Sequence, residues 1–101
     1  MIKVGITQRV DECLEYKESR DALDQRWAPL LESIGICPVI IPNSIKNVEQ
    51  FLDNMEIEGL LLTGGNNIEQ GDNVSLSRNR TERVALEYAI HKNIPVLGVC
   101  R

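Results

Sequence analysis

The sequence predicts a doubly wound α/β domain with a mostly parallel sheet, and three observations predict it. Short apolar runs recur at residues 2–7, 36–41, 59–63 and 94–99, and patterns of helical spacing fill the intervals, so strand and helix alternate. The third and fourth runs are apolar at successive positions, not alternate ones, as in parallel strands covered on both faces. The composition, 43% hydrophobic and 26% charged over 101 residues, is that of an ordinary globular chain of at most one domain.

Taken in order, residues 2–7 form the first strand, which ends in Gln8-Arg9. Residues 8–18 are polar and read as a loop. Ser19 is placed to cap a helix over roughly residues 20–34. Its apolar positions Leu23, Trp27, Leu30, Leu31 and Ile34 fall on one helical face, with Pro29 off the stripe and expected to kink it. Gly35 ends that helix as a C-cap. Residues 36–41 are the second strand, closed by Pro42. Asn43 or Ser44 then caps a helix carrying Ile45, Val48, Leu52 and Met55 on one side. Residues 59–63 are the third strand, central by their continuous apolar character, and Gly64-Gly65-Asn66-Asn67 follows at once. Residues 68–79 read as a polar loop, and residues 80–92 as a third helix with Val84, Ala85, Tyr88 and Ala89 inward. In the last strand Ile94, Val96, Leu97 and Val99 surround Gly98 and run into Cys100.

Several function classes are disfavoured. A net charge of −4 is the wrong sign for a nucleic-acid footprint. No apolar run has the length of a membrane span, and the first residues read as a strand and not as a signal peptide. Cys13, Cys37 and Cys100 are odd in number and widely spaced, with no CxxC, and His91 is the single histidine. A disulfide framework or a metal site is therefore not expected, and a reducing cytoplasm is. No glycine-rich phosphate fingerprint occurs, so no nucleotide or other cofactor is expected.

In doubly wound sheets ligands bind at the carboxyl ends of the strands. Here those ends carry Gln8-Arg9, Pro42-Asn43, Gly64-Gly65-Asn66 and Cys100-Arg101. Gly98-Val99-Cys100-Arg101 gives four of the five residues of a Gly-x-Cys-x-Gly nucleophile elbow, in which small residues flank a sharp strand-to-helix turn. The thiolate is the attacking species, and a helix start stabilises it. The N–H of Arg101 would face the oxyanion formed on attack, and a backbone N–H at Gly64-Gly65, unobstructed by a Cβ, would supply a second donor. Each feature has a plainer reading, a buried structural cysteine or an ordinary glycine turn. Gly-Gly after one central strand and Gly-x-Cys after the next is the more specific pair. Gln8 and Arg9 either face this site or are a solvated strand end. Arg26 reads as a surface charge and Trp27 as core. Arg78 and Arg80 are phosphate or carboxylate ligands or surface charges at a helix start. Glu82 complements the helix dipole in a first turn, and Cys13 and Cys37 are structural.

The chain resembles the first half of a class I glutamine amidotransferase-like domain of the γ-glutamyl hydrolase (peptidase C26) type, with its flavodoxin-like fold. The resemblance is carried by residues 60–68 (Leu-Leu-Leu-Thr-Gly-Gly-Asn-Asn-Ile), Arg80-Thr81-Glu82 and residues 94–101, with support from residues 5–9. Residues 20–27 (Arg-Asp-Ala-Leu-Asp-Gln-Arg-Trp) are most similar to the bacterial γ-glutamyl-CDP-amidate hydrolases, which act in adding phosphoramidate groups to surface polysaccharide. The resemblance implies that Cys100 attacks a γ-glutamyl carbonyl, that donors near Gly65 and at Arg101 hold the oxyanion, and that a thioester is hydrolysed to glutamate. Gly64, Asn66, Gln8 and Arg9 are the further candidate binding residues. The family's base is a histidine oriented by a glutamate late in the domain. His91, in the last turn of a helix before the elbow strand, does not match it. The expectation is therefore that residues 1–101 are the amino-terminal half of one domain, inactive alone, with the last strand unpaired on one side. Expected partners are a small-molecule γ-glutamyl substrate and optionally a second copy of the chain, with no nucleic acid and no membrane. The alternatives are a glutaminase subunit supplying ammonia to a synthetase and a non-catalytic flavodoxin-like binding module in which Cys100 is structural.

Overall fold

A computed structural model of the chain describes residues 1–65 and 73–99, with side chains in the last helix from residue 76 onward. The elements are β1 (Ile2–Ile6), β2 (Arg9–Cys13), β3 (Glu18–Ala22), α1 (Trp27–Ser33), β4 (Ile36–Ile40), α2 (Val48–Met55), β5 (Gly59–Leu62), α3 (Asn73–Lys92) and β6 (Val96–Gly98). Four strands make one sheet in the order β4-β1-β5-β6, and every pairing in it is parallel. Pro38 lies in β4, which among the described strands pairs with β1 alone, so its missing N–H costs no ladder bond to a second described neighbour.

The sheet is covered on both faces. Leu60 packs with Ile41, Val48, Leu52, Ile57, Ala85, Tyr88 and Ala89, beneath α2 and α3. Its neighbour Leu61 packs with Ile6 and Leu31 on the other face, flanked by Val4, Leu23, Trp27 and Ile36, beneath α1. Successive leucines thus serve opposite cores, as the period-2 geometry of a strand requires. This is the doubly wound α/β architecture expected from the sequence. Gly5 faces the α2–α3 core, where an added Cβ would stand 3.2 Å from the Cδ1 atoms of both Ile41 and Ile57.

Several local expectations are corrected. Residues 9–22 are neither a loop nor a helix start but the antiparallel hairpin β2–β3, in register from Arg9↔Ala22 to Cys13↔Glu18. Its turn places Lys17 at φ 51°. The hairpin escapes notice because its strands are mostly charged, and among their residues only Val10 is fully buried. Ser19, expected as a cap, sits mid-strand in β3. The helix begins instead at Trp27, after a turn in which the Asp24 carboxylate accepts from the N–H of Arg26 at 2.8 Å. Pro29 then falls in the first turn, where no N–H is required and no kink arises. Leu30 and Ile34 are 54% and 64% exposed, so only part of the apolar stripe is core. Gly35 does follow the helix in a left-handed conformation, φ 80°.

The cap of α2 is Asn47, whose side chain accepts from the N–H of Gln50 at 3.0 Å. Asn43 and Ser44 precede it, and Met55 is 40% exposed. Residues 73–79, expected in a loop, are helical, and residues 68–72 lie outside the described set. Among the described strands β6 stands at the sheet edge, with Leu97 64% exposed. No described helix is long and apolar enough to cross a membrane.

Candidate active site

At the carboxyl end of β5 the chain passes through Thr63 into Gly64 and Gly65. A ring of hydrogen bonds fixes this turn. The N–H of Thr63 donates to Thr7 Oγ1 at 3.0 Å, and Thr63 Oγ1 donates to the Thr7 carbonyl at 2.8 Å. Thr7 Oγ1 in turn donates to Glu82 Oε2 at 2.8 Å. Arg78, four residues before Glu82 on α3, closes the ring. Its Nε and Nη2 reach Glu82 Oε2 at 3.2 and 3.0 Å. Its Nη1 donates to the carbonyls of Gly64 at 3.0 Å and Gly65 at 2.7 Å, and its Nη2 to the Thr63 carbonyl. The Arg78 side chain is 0% exposed. A buried guanidinium is tolerable only when its donors and its charge are matched, and among the described residues backbone carbonyls and the Glu82 carboxylate do both.

Gly65 has φ 98°, a conformation side chains resist. A Cβ there would also lie 2.9 Å from Arg9 Cδ and 3.1 Å from Arg9 Cβ. Glycine is therefore required twice over, by conformation and by space. Among the described residues nothing accepts a hydrogen bond from the N–H of Gly64 or Gly65.

These glycines border a cavity of about 340 Å³, lined also by Arg9, Ala22, Leu23, Asp24, Trp27 and Thr63. The turn into α1 thus walls the site from the α1 face of the sheet, and Arg9, at the start of the hairpin strand that packs on α3, closes it beside Gly65. Arg9 is half-exposed and pairs with Asp11 at 3.2 Å. Asp24 is held by Arg26, chiefly through side-chain hydrogen bonds and then the backbone N–H, which lower its pKa from 3.8 to about 2. The cavity therefore presents a cation and a permanent anion beside two glycines and an indole.

The predicted residues are distributed as follows. Gly64, Gly65 and Arg9 come together at the cavity. Gln8 is buried and turned elsewhere, its Nε2 donating to the Ile41 carbonyl at 3.0 Å, while its own carbonyl accepts from Asn43 Nδ2 at 3.2 Å. Asn66, Cys100 and Arg101 lie outside the described residues. The backbone leading to Cys100 is described: Leu62 is in register with Gly98, and the N–H of Val99 donates to the Leu62 carbonyl at 2.8 Å. β6 therefore ends at the same sheet edge as Gly64-Gly65. A Cβ on Gly98 meets nothing within 4 Å among the described residues. His91 is exposed and does not line this cavity.

The sequence left Arg78 as either a phosphate or carboxylate ligand or a helix-start surface charge, and placed Glu82 in a first turn. Burial against the Glu82 carboxylate removes the surface alternative, and the longer helix moves Glu82 out of the first turn. Their i, i+4 spacing was the available signal. Arg26, by contrast, is the surface charge expected, and Trp27 is core at one edge and cavity wall at the other. Cys13 and Cys37 are free thiols.

Residues 3–101 match the peptidase C26 family. The first of three similar proteins is a glutamine-hydrolysing GMP synthase subunit of Methanocaldococcus jannaschii. It is 30% identical over 70 residues, which are 69% of this chain and 31% of that protein. Its counterpart in Methanococcus aeolicus is 36% identical over 70 residues, again 69% of this chain and 31% of that protein. The γ-glutamyl-CDP-amidate hydrolase of Campylobacter jejuni is 29% identical over 103 residues, covering 97% of this chain and 50% of that protein. The matched segments thus span 31% to 50% of these relatives' lengths.

Proposed function

The chain belongs to the peptidase C26 family, and from that premise we propose that its protein is a cysteine-dependent hydrolase of γ-glutamyl amide bonds. The observation that carries the reading is the pair of glycine amides, without a partner among the described residues, beside the strand that leads into Gly98-Val99-Cys100. On this reading the Cys100 thiolate attacks the γ-carbonyl carbon. The C–S bond forms as the π pair moves to oxygen, and that oxyanion accepts hydrogen bonds from the glycine turn and from the N–H of Arg101. Return of the pair expels the amine, which takes a proton, and leaves a thioester. Water then adds and releases glutamate and the thiol. The base is a histidine in the family the chain resembles, and it is not His91. Residues 1–101 then act as the amino-terminal half of a single amidotransferase-like domain, which the intact mass of the purified protein tests.

Similarity along 97% of the chain to a γ-glutamyl-CDP-amidate hydrolase favours a γ-glutamyl phosphoramidate as substrate. Similarity to GMP synthase components favours a second reading, a glutaminase that passes ammonia to a synthetase. Cytoplasmic residence suits both. The test is release of glutamate by the full protein from γ-glutamyl-CDP-amidate and from glutamine, with Cys100→Ala alongside. Hydrolysis of the amidate without any partner, abolished in Cys100→Ala, is expected. Glutamine turnover that appears only with a synthetase selects the second reading, and full activity in Cys100→Ala overturns both.

A further inference from the structure

We infer that Arg78 is a positioning residue for this reaction, aiming the amide donors of the glycine turn by gripping the carbonyls on their far side. The inference rests on the hydrolase reading above. Its basis is the geometry of the peptide unit. In a trans peptide the C=O of one residue and the N–H of the next point in opposite directions. No peptide among the described residues is cis. The Arg78 guanidinium takes the carbonyls of Thr63, Gly64 and Gly65. It must therefore turn the N–H groups of Gly64 and Gly65 away from itself. Arg78 approaches from α3, whereas Leu23, Asp24 and Trp27 wall the cavity from the α1 side. The direction away from Arg78 is thus the direction of the cavity.

The grip is itself anchored. Glu82 Oε2 receives both Nε and Nη2 of Arg78, and Thr7 Oγ1 donates to the same oxygen. Thr7 also accepts the N–H of Thr63. The turn is therefore tied to β1 and α3 at once, and it cannot rotate a peptide plane without breaking a buried charged bond. Gly65 at φ 98° shows what the grip enforces, a conformation with little intrinsic preference. An oxyanion donor is effective when it is already aimed before the charge develops. Arg78 touches neither substrate nor thiolate in this scheme and acts only through the backbone.

Lysine keeps the charge but gathers its donors on one nitrogen, which cannot span three carbonyls and a carboxylate. The test compares wild type, Arg78→Lys and Cys100→Ala in the full protein, with γ-glutamyl-p-nitroanilide as substrate. Three quantities are read: kcat, KM, and the rate of Cys100 alkylation by iodoacetamide. Alkylation displaces iodide at a saturated carbon and builds no oxyanion, so it reports the nucleophile alone. The expected result for Arg78→Lys is a kcat lower by ~10²-fold, with KM and the alkylation rate essentially unchanged. An unchanged kcat, or a kcat and alkylation rate falling by the same factor, overturns the inference. Should circular dichroism show Arg78→Lys unfolded, Glu82→Gln, which loosens the anchor and keeps the guanidinium, is judged by the same criteria. Hydrolysis surviving in Cys100→Ala, or absent from wild type, would sink the hydrolase reading and this inference with it. An active wild type with an indifferent Arg78→Lys sinks the inference alone.

Discussion

Gly65→Ala tests the glycine turn most directly, and Gly35→Ala is its internal control. Both positions have positive φ, 98° and 80°. Forcing an alanine into that region costs roughly 1–2 kcal/mol at either site. The surroundings differ. Around Gly35 an added Cβ meets nothing within 4 Å, whereas at Gly65 it meets Arg9 Cδ at 2.9 Å, Arg9 Cβ at 3.1 Å and Arg78 Nη1 at 3.4 Å. The Arg9 Cδ can swing aside, because that side chain is 54% exposed. Its Cβ moves only with the backbone of β2, and Arg78 is held by its carbonyls. Overpacking of this kind adds roughly 1–3 kcal/mol. Gly65→Ala should therefore be less stable than Gly35→Ala by about that amount. Urea unfolding at unchanged m-value measures it. The double variant Arg9→Ala/Gly65→Ala should recover part of the loss, since it removes Cδ but not Cβ. A Gly65→Ala protein no less stable than Gly35→Ala would refute the steric argument and the turn geometry behind it.

Three further outcomes follow from the same structure. Asn43 is buried, and its Nδ2 donates to the Gln8 carbonyl and to Asp21 Oδ1 while its N–H donates to Asp21 Oδ2. Asn43→Ala should cost roughly 1–3 kcal/mol in urea unfolding, and Asn43→Asp more, because it sets a second carboxylate against Asp21. A milder Asn43→Asp would contradict that network. Asp24 should titrate near 2 by carbon NMR, and Arg26→Ala should return it toward 3.8. Its folded pKa is depressed, so the pair's contribution is present above pH 3.8 and is lost as pH falls toward 2. Both groups are solvent-facing, so added salt should shrink the shift. The Cys100 thiol should react with iodoacetamide at neutral pH far faster than Cys13 or Cys37, as peptide mapping would show; equal rates would favour a structural cysteine.

Much of the scaffold was legible because it repeats simple physics. Leu60 and Leu61 sit in succession on a strand and serve two different cores, and an uninterrupted apolar run is the sequence form of that arrangement. The last strand, the glycine after α1 and the inward face of α3 were read from the same rules. The hairpin was not legible, because it has almost no buried face to impose a period of two. Its position is fixed from outside, by Asp21 accepting from Asn43, a residue 22 positions later. The start of α1 was misread for a related reason. Leu23 belongs to the core beside Trp27 and Leu31, but as a wall before the helix and not as its first turn.

The candidate site divides the same way. The sequence by itself pointed to the carboxyl end of the sheet as the candidate site, since Gly64-Gly65 and Gly98-Val99-Cys100 each close an apolar run. It indicated too why glycine suits that turn, since only glycine leaves a backbone N–H open to close approach; the positive φ of Gly65 came from the structure. Only the tertiary structure decided what holds those glycines. Arg78 lies 13 to 15 positions from the carbonyls it grips, and Thr7 lies 56 positions from the Thr63 it braces. Those meetings depend on the register of β1 against β5 and on the length of α3. In sequence an arginine at a helix start looks like any solvated charge. Its role is set by where the helix begins and by the backbone carbonyls that come to face it, and carbonyls carry no signature in a sequence.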